Sequence, residues 1–132
     1  MNIRKSLLAG IGANLVFVLG GLGLETLYPE RMTWFAQEFP SMMSGDGALF
    51  VFVSILITGF VMGFLYDLLR MGIPGKGIRK GINFGIIAYL LGGISFAFMI
   101  LGSAPTAISA SEFGFSFITH VLAGIVVAKI HE

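Results

Sequence analysis

Cysteine is absent from all 132 residues. That excludes disulfides, thiolate metal sites and thiol redox chemistry, and leaves the compartment open. Charge is nearly as scarce. Asp, Glu, Lys and Arg make up 11% of the chain, where a soluble domain carries about 25%. With 56% hydrophobic residues and a mean hydropathy of +0.93, the chain lacks a surface fit for water. Its solvent must be largely lipid. The formal net charge is +1, and the basic residues cluster at the ends of apolar runs rather than on a solvated face, so nucleic acid is not an expected partner.

The chemistry of a typical active site is missing too. A metal site needs two or more His, Cys or carboxylate ligands close together, and the two histidines stand eleven residues apart, at His120 and His131. No glycine loop is followed by Gly-Lys-Ser/Thr, and no nucleophile stands at useful spacing from a base. The expectation is therefore no enzyme, no metal and no cofactor. The length allows one domain.

What is present is four apolar runs, at about residues 6–27, 48–69, 82–101 and 109–128. Each is long enough to cross ~30 Å of hydrocarbon at ~1.5 Å per residue. The basic leader Met1–Lys5 and the first run could pass for a signal peptide. The run is long for one, and no small-x-small cleavage pattern stands convincingly before Glu25, so a retained first span is expected.

The segment RMGIPGKGIRK, residues 70–80, holds four of the eight basic residues with Pro74 and three glycines. It breaks helix geometry between the second and third spans. Lys and Arg beside membrane spans stay on the cytoplasmic side. Arg4, Lys5, Arg70, Lys76, Arg79, Lys80 and Lys129 all fall on one side, and Arg31 alone on the other. This bias predicts a multi-pass protein of a bacterial inner membrane with both termini cytoplasmic. Between Pro29 and Pro40, Met32, Phe35 and Phe39 recur at helical spacing among charged residues, with Trp34 and Tyr28 nearby. That pattern predicts a short interfacial helix over about 30–39 on the outer surface.

Two stretches echo each other. Residues 3–11 read IRKSLLAGI and residues 78–86 read IRKGINFGI, and Gly59 and Gly63 find a weaker echo in Gly124 and Ala128. Two tandem helical hairpins in parallel repeat, about an axis along the membrane normal, are one reading. The plainer one is that inner-membrane spans often begin with basic residues and contain glycine. Gly59 and Gly63 form a G-x-x-x-G pair, which lets another helix approach closely.

Polar side chains inside spans are costly and each needs an account. Asn14, Tyr89 and His120 each lie nine residues from a cytoplasmic lysine, or ~13 Å deep at ~1.5 Å per residue. Thr58 and Thr119 fall near that level. The three could be interhelical glue, or a midplane site in which His120 titrates or touches a substrate. Glu25 and Glu112 are candidates for an outer vestibule, Glu112 also suiting a helix N-terminus. Asp67 is expected to pair with Arg70 or a lysine of the loop.

With the four spans and the sequence GFVMGFLYD at Gly59–Asp67 in view, the chain resembles the small, uncharacterised four-helix proteins of bacterial inner membranes. It differs from small multidrug exporters of similar size, which carry a carboxylate where this chain has Asn14. The leading expectation is a packing or assembly role in the bilayer, as a homo-oligomer or with other membrane subunits. The alternative is a small oligomeric transporter or channel with a pathway past Asn14, Tyr89 and His120. A haem- or quinone-contacting subunit built on His120 is a third reading.

Overall fold

The computed structural model describes residues 2–132; Met1, the first residue of the basic leader, lies outside them. The chain is all-helical, with no strand among the described residues. Its helices are α1 (Ile3–Leu27), α2 (Pro29–Glu38), α3 (Gly45–Leu69), α4 (Gly77–Ala88), α5 (Ile94–Ile100) and α6 (Thr106–His131). A 3₁₀ turn, Pro40–Met42, precedes α3, and a π-helical turn, Tyr89–Gly93, joins α4 to α5.

Helices α1, α3 and α6, of 25, 25 and 26 residues, are long and apolar enough to cross a membrane. The third apolar run differs from its expected form. Its helix begins earlier, at Gly77, and passes through the five-residue π turn before α5. The wider turn falls where Gly92 and Gly93 weaken the regular α repeat and where α6 presses a side chain against the backbone. Inserted π turns of this kind recur at functional positions.

Helix starts and stops follow local chemistry. Asn2 caps α1, its Oδ1 accepting from Lys5 N at 3.1 Å. Pro29 opens α2, with Glu30 in the first turn, and Pro40 follows its end. Proline lacks the N–H that a helix interior needs and is tolerated in a first turn. The loop after α3 turns at Gly75 and Gly77, whose φ of +98° and +53° lie in the left-handed region that glycine enters without strain. The loop is anchored on both sides. Ile73 is buried among the helices, and Asn83 Nδ2 donates to Pro74 O at 2.8 Å.

Helix α1 packs antiparallel on α3, α4 packs antiparallel on α6, and α1 also lies along α6. Small residues set both hairpin seams. A Cβ added to Gly63 would run into the backbone of Ser6 and Gly10; one added to Gly124 would lie 2.5 Å from Gly81 O and 2.6 Å from Gly85 N. Ser6 and Gly10 hold the same places in IRKSLLAGI that Gly81 and Gly85 hold in IRKGINFGI. By contact, Gly63 and Gly124 thus occupy equivalent seats, one turn away from the pairing of Gly59 with Gly124.

The junction between the hairpins is one-sided. Helices α1 and α6 share a long seam, whereas α3 and α4 meet chiefly through the Tyr66 and Phe84 rings, 5.0 Å apart. The core gathers toward the ends of the helices near this contact. Ala9, Ala13, Met62, Tyr66, Phe84, Ala123 and Val127 pack there, with Phe84 and Val127 fully buried.

Candidate functional site

Polar side chains are buried at three levels. At the middle level, the structure brings two of the three expected residues together. The Tyr89 and His120 rings lie 5.8 Å apart and Phe17 packs edge-on against His120 at 4.9 Å. His120 Nδ1 lies 2.7 Å from Ser116 O. A carbonyl oxygen only accepts, so Nδ1 donates and carries a proton. Gly93 of the π turn makes room for the imidazole: a Cβ there would lie 2.5 Å from His120 Cε1. Tyr89 Oη donates to Phe113 O at 3.4 Å, and Ser116 Oγ to Gly93 O at 3.3 Å.

Asn14 makes its contacts on the other seam. Its Nδ2 donates to Leu56 O of α3 at 3.1 Å, and its side chain fills the space over Gly59. Its Oδ1 is buried without a hydrogen bond. The expected three-residue layer is therefore split between α1·α3 and α4·α6. Thr119 Oγ1 turns back on its own helix, donating to Phe115 O and Ser116 O at 3.0 Å, and Thr58 is exposed.

At the outer level, Glu112 is buried and forms an ion pair with Arg31, whose guanidinium also lies 4.7 Å above the Phe35 ring. This joins α2 to α6 through the one basic residue on that side. Glu25, the other vestibule candidate, is half-buried and makes no ion pair or hydrogen bond among the described residues. Glu112 is neutralised by a cation rather than set beside a second carboxylate. Trp34, Phe35 and Phe39 pack on one another, with ring centroids 4.9 Å apart for the first two.

The third level, at the other end, is the densest. Asp67, with a fully buried side chain, accepts from Asn2 N at 2.6 Å and faces Arg70 Nε at 3.2 Å. The pairing with Arg70 is the one its i,i+3 spacing suggests. Asp67 Oδ1 also stands 3.6 Å from His131 Nδ1, and Lys5 Nζ donates to His131 O at 3.0 Å. One carboxylate thus ties the start of α1 to the ends of α3 and α6. The links to Asn2 and His131 span 65 and 64 residues of sequence (67 − 2 and 131 − 67), so no local spacing signals them. Their only hint is a shared depth: a polar residue at the basic end of each helix.

Beside this cluster, between the ends of α3, α4 and α6, lies a pocket of about 320 Å³. Arg70, Lys76, Lys80, Tyr66, His131 and Glu132 line it with the loop glycines. A second hollow of about 360 Å³ is a shallow apolar groove on α3, lined by residues from Ile57 to Leu68. Neither hollow is lined by Asn14, Tyr89 or His120. No group of three His, Cys, Asp or Glu side chains is placed to hold a metal ion among the described residues.

The chain has no significant similarity to a protein-family model, a curated protein or a solved structure. The site geometry therefore carries the functional reading.

Proposed function

We propose that this chain is a four-span protein of a bacterial inner membrane, akin to the small four-helix proteins its sequence resembles. Both ends and the loop 70–80 face the cytoplasm, and α2 rests on the outer surface. Its role is assembly: a rigid helical unit that associates laterally with copies of itself or with other membrane subunits. In this reading the segment Gly77–Ile100 is the third span in chain order, joining α1, α3 and α6, and the two hairpins are tandem copies. The equivalent seats of Gly63 and Gly124 support that.

One observation carries the assembly reading. The midplane polar groups lie on two separate seams, Asn14 donating across α1·α3 to Leu56 and His120 bonding Ser116 of its own helix beside α4. A transporter or channel would need them to share a wet route. Their division, with neither hollow reaching them, weighs against transport. What remains for function is the lateral surface, where α3 presents Phe50, Phe52, Ile57 and Val61 outward.

Two experiments test this. In the natural cysteine-free background, Ser41→Cys should react with an impermeant thiol reagent added to intact cells, and Met71→Cys should not. The reverse pattern would overturn the orientation. A photo-crosslinking residue at Val61 should give a discrete higher-mass protein adduct in native membranes. Crosslinks to lipid alone, there and along α3, would contradict assembly through this face.

A further inference from the structure

We propose that the pocket between the ends of α3, α4 and α6 is a binding site for a phosphate group. It rests on the reading above only in placing the pocket at headgroup level on the cytoplasmic side. Four observations meet there. First, Arg70, Lys76 and Lys80 line the pocket with one lining carboxylate, Glu132, while Arg70 also pairs with the buried Asp67 behind it. Second, the 12-residue helix α4 starts in its wall at Gly77. Its N-cap, Lys76, offers no side-chain acceptor to the first amides. Unsatisfied N–H groups and the positive end of the helix dipole favour an anion. The positive φ of Gly75 and Gly77 shapes the loop around this terminus.

Third, a carboxylate already lies beside the start of α4. A Cβ built on Gly77 would lie 3.3 Å from Glu132 Oε1, while Glu132 Oε2 accepts from Lys129 Nζ at 2.8 Å. The Glu132 side chain is partly exposed and held by that one surface pair with Lys129 of its own helix, so it can move aside. Fourth, a buried imidazole lines the same pocket. The His131 side chain is 1% exposed, with Nδ1 3.6 Å from Asp67 Oδ1 and the ring against the Gly63 backbone. Tyr66 lines the same wall.

Two lysines unpaired among the described residues, the Arg70 guanidinium and the start of α4 match the charge and acceptor oxygens of a phosphate. About 320 Å³ is ample, since a water's share of liquid volume is ~30 Å³. Basic pockets between helices at the cytoplasmic face suit anionic headgroups. A free phosphate or phosphomonoester offers the same chemistry. The pocket exists because α3 and α4 do not close on each other as α1 and α6 do. Glu132 acts as its resident placeholder, displaced when phosphate enters.

The test uses the full chain in two arms. In one, the protein sits in nanodiscs of phosphatidylcholine with a minor fraction of phosphatidylglycerol, and native mass spectrometry counts retained anionic lipid. In the other, it is held in neutral detergent and inorganic phosphate is titrated by calorimetry. Each lysine replaced by glutamine, at Lys76 and Lys80, should weaken binding roughly fivefold. Glu132→Gln should strengthen it, and Arg4→Gln, a cation at the same boundary outside the pocket, should leave it unchanged. Lipid retention that follows this order, competed by phosphate, assigns the headgroup as ligand. The order seen with phosphate but without lipid preference assigns a free phosphate. Loss no greater for Lys76→Gln and Lys80→Gln than for Arg4→Gln, in both arms, overturns the proposal. A failure of the membrane topology would show in thiol labelling and leave the detergent titration intact.

Discussion

The two hairpin seams begin alike and end differently. Near the basic end, α1·α3 and α4·α6 each close on a glycine set against two small residues: Gly63 on Ser6 and Gly10, Gly124 on Gly81 and Gly85. One to two turns deeper they part. The first seam seats Asn14 over Gly59, with a hydrogen bond to the facing helix at Leu56. The second seats His120 over Gly93, with its hydrogen bond to its own helix at Ser116. Each polar group has a glycine seat, but the glycine lies on α3 in one seam and in the π turn in the other. The difference teaches that the small-residue seats set helix spacing, while the polar residue above them fixes register in whatever way the local backbone allows.

The largest effect that would break this likeness is expected at the seats. Gly63→Val and Gly124→Val both force a side chain into the facing backbone, where no rotamer change relieves it. Overpacking of this kind costs typically 1–3 kcal/mol and more where backbone is met. Each should lower the midpoint of thermal unfolding in detergent, by similar amounts. A tolerated Gly124→Val beside a crippling Gly63→Val would show that the seats are not equivalent.

Asp67→Ala should come close behind, since it removes the charged acceptor of the Asn2 N–H and the partner of the half-exposed Arg70, a loss of about 1.5–3 kcal/mol. The loss belongs to α1, α3 and α6 together, because Asp67 holds Asn2, Arg70 and His131 at once. Proteolysis of the N-terminal turn should rise in step with the loss of stability. Next, Gly93→Ala pushes on a ring that can rotate, so the fold should survive while the His120 imidazole resonances move. The smallest effect is expected for Asn14→Leu, which removes an interhelical hydrogen bond of about 0.6 kcal/mol together with an unsatisfied oxygen. A near-neutral result there, beside a disturbed Gly93→Ala, would sharpen the contrast between the seams.

Helix ends and loops were legible in the sequence because they rest on local chemistry. Pro29 and Pro40 bracket α2, Gly75 and Gly77 turn the loop, and Asp67 lies one turn from Arg70. Rotation about each helix axis was not legible. The long helices are apolar all round, since lipid faces them as readily as protein does, so no polar stripe marks the inner face. Equal residue counts from the lysines suggest one layer, while the structure sets Asn14 on the α1·α3 seam and Tyr89 with His120 beside α4·α6. The pairs Arg31–Glu112 and Asp67–His131 were hidden for the same reason, each joining helices far apart in sequence. The π turn was hidden because Gly92 and Gly93 are equally at home in a regular membrane helix.

The central claim is that the midplane is packed and dry, with its polar groups shared out between two seams. Absence of native cysteine makes a direct test clean. Asn14→Cys and Tyr89→Cys should stay unmodified by a small water-soluble thiol reagent in native membranes, while Lys76→Cys at the pocket mouth reacts. Modification of the two midplane cysteines at a rate near that of Lys76→Cys would show water reaching the centre, contradict the packed core, and favour a transport pathway.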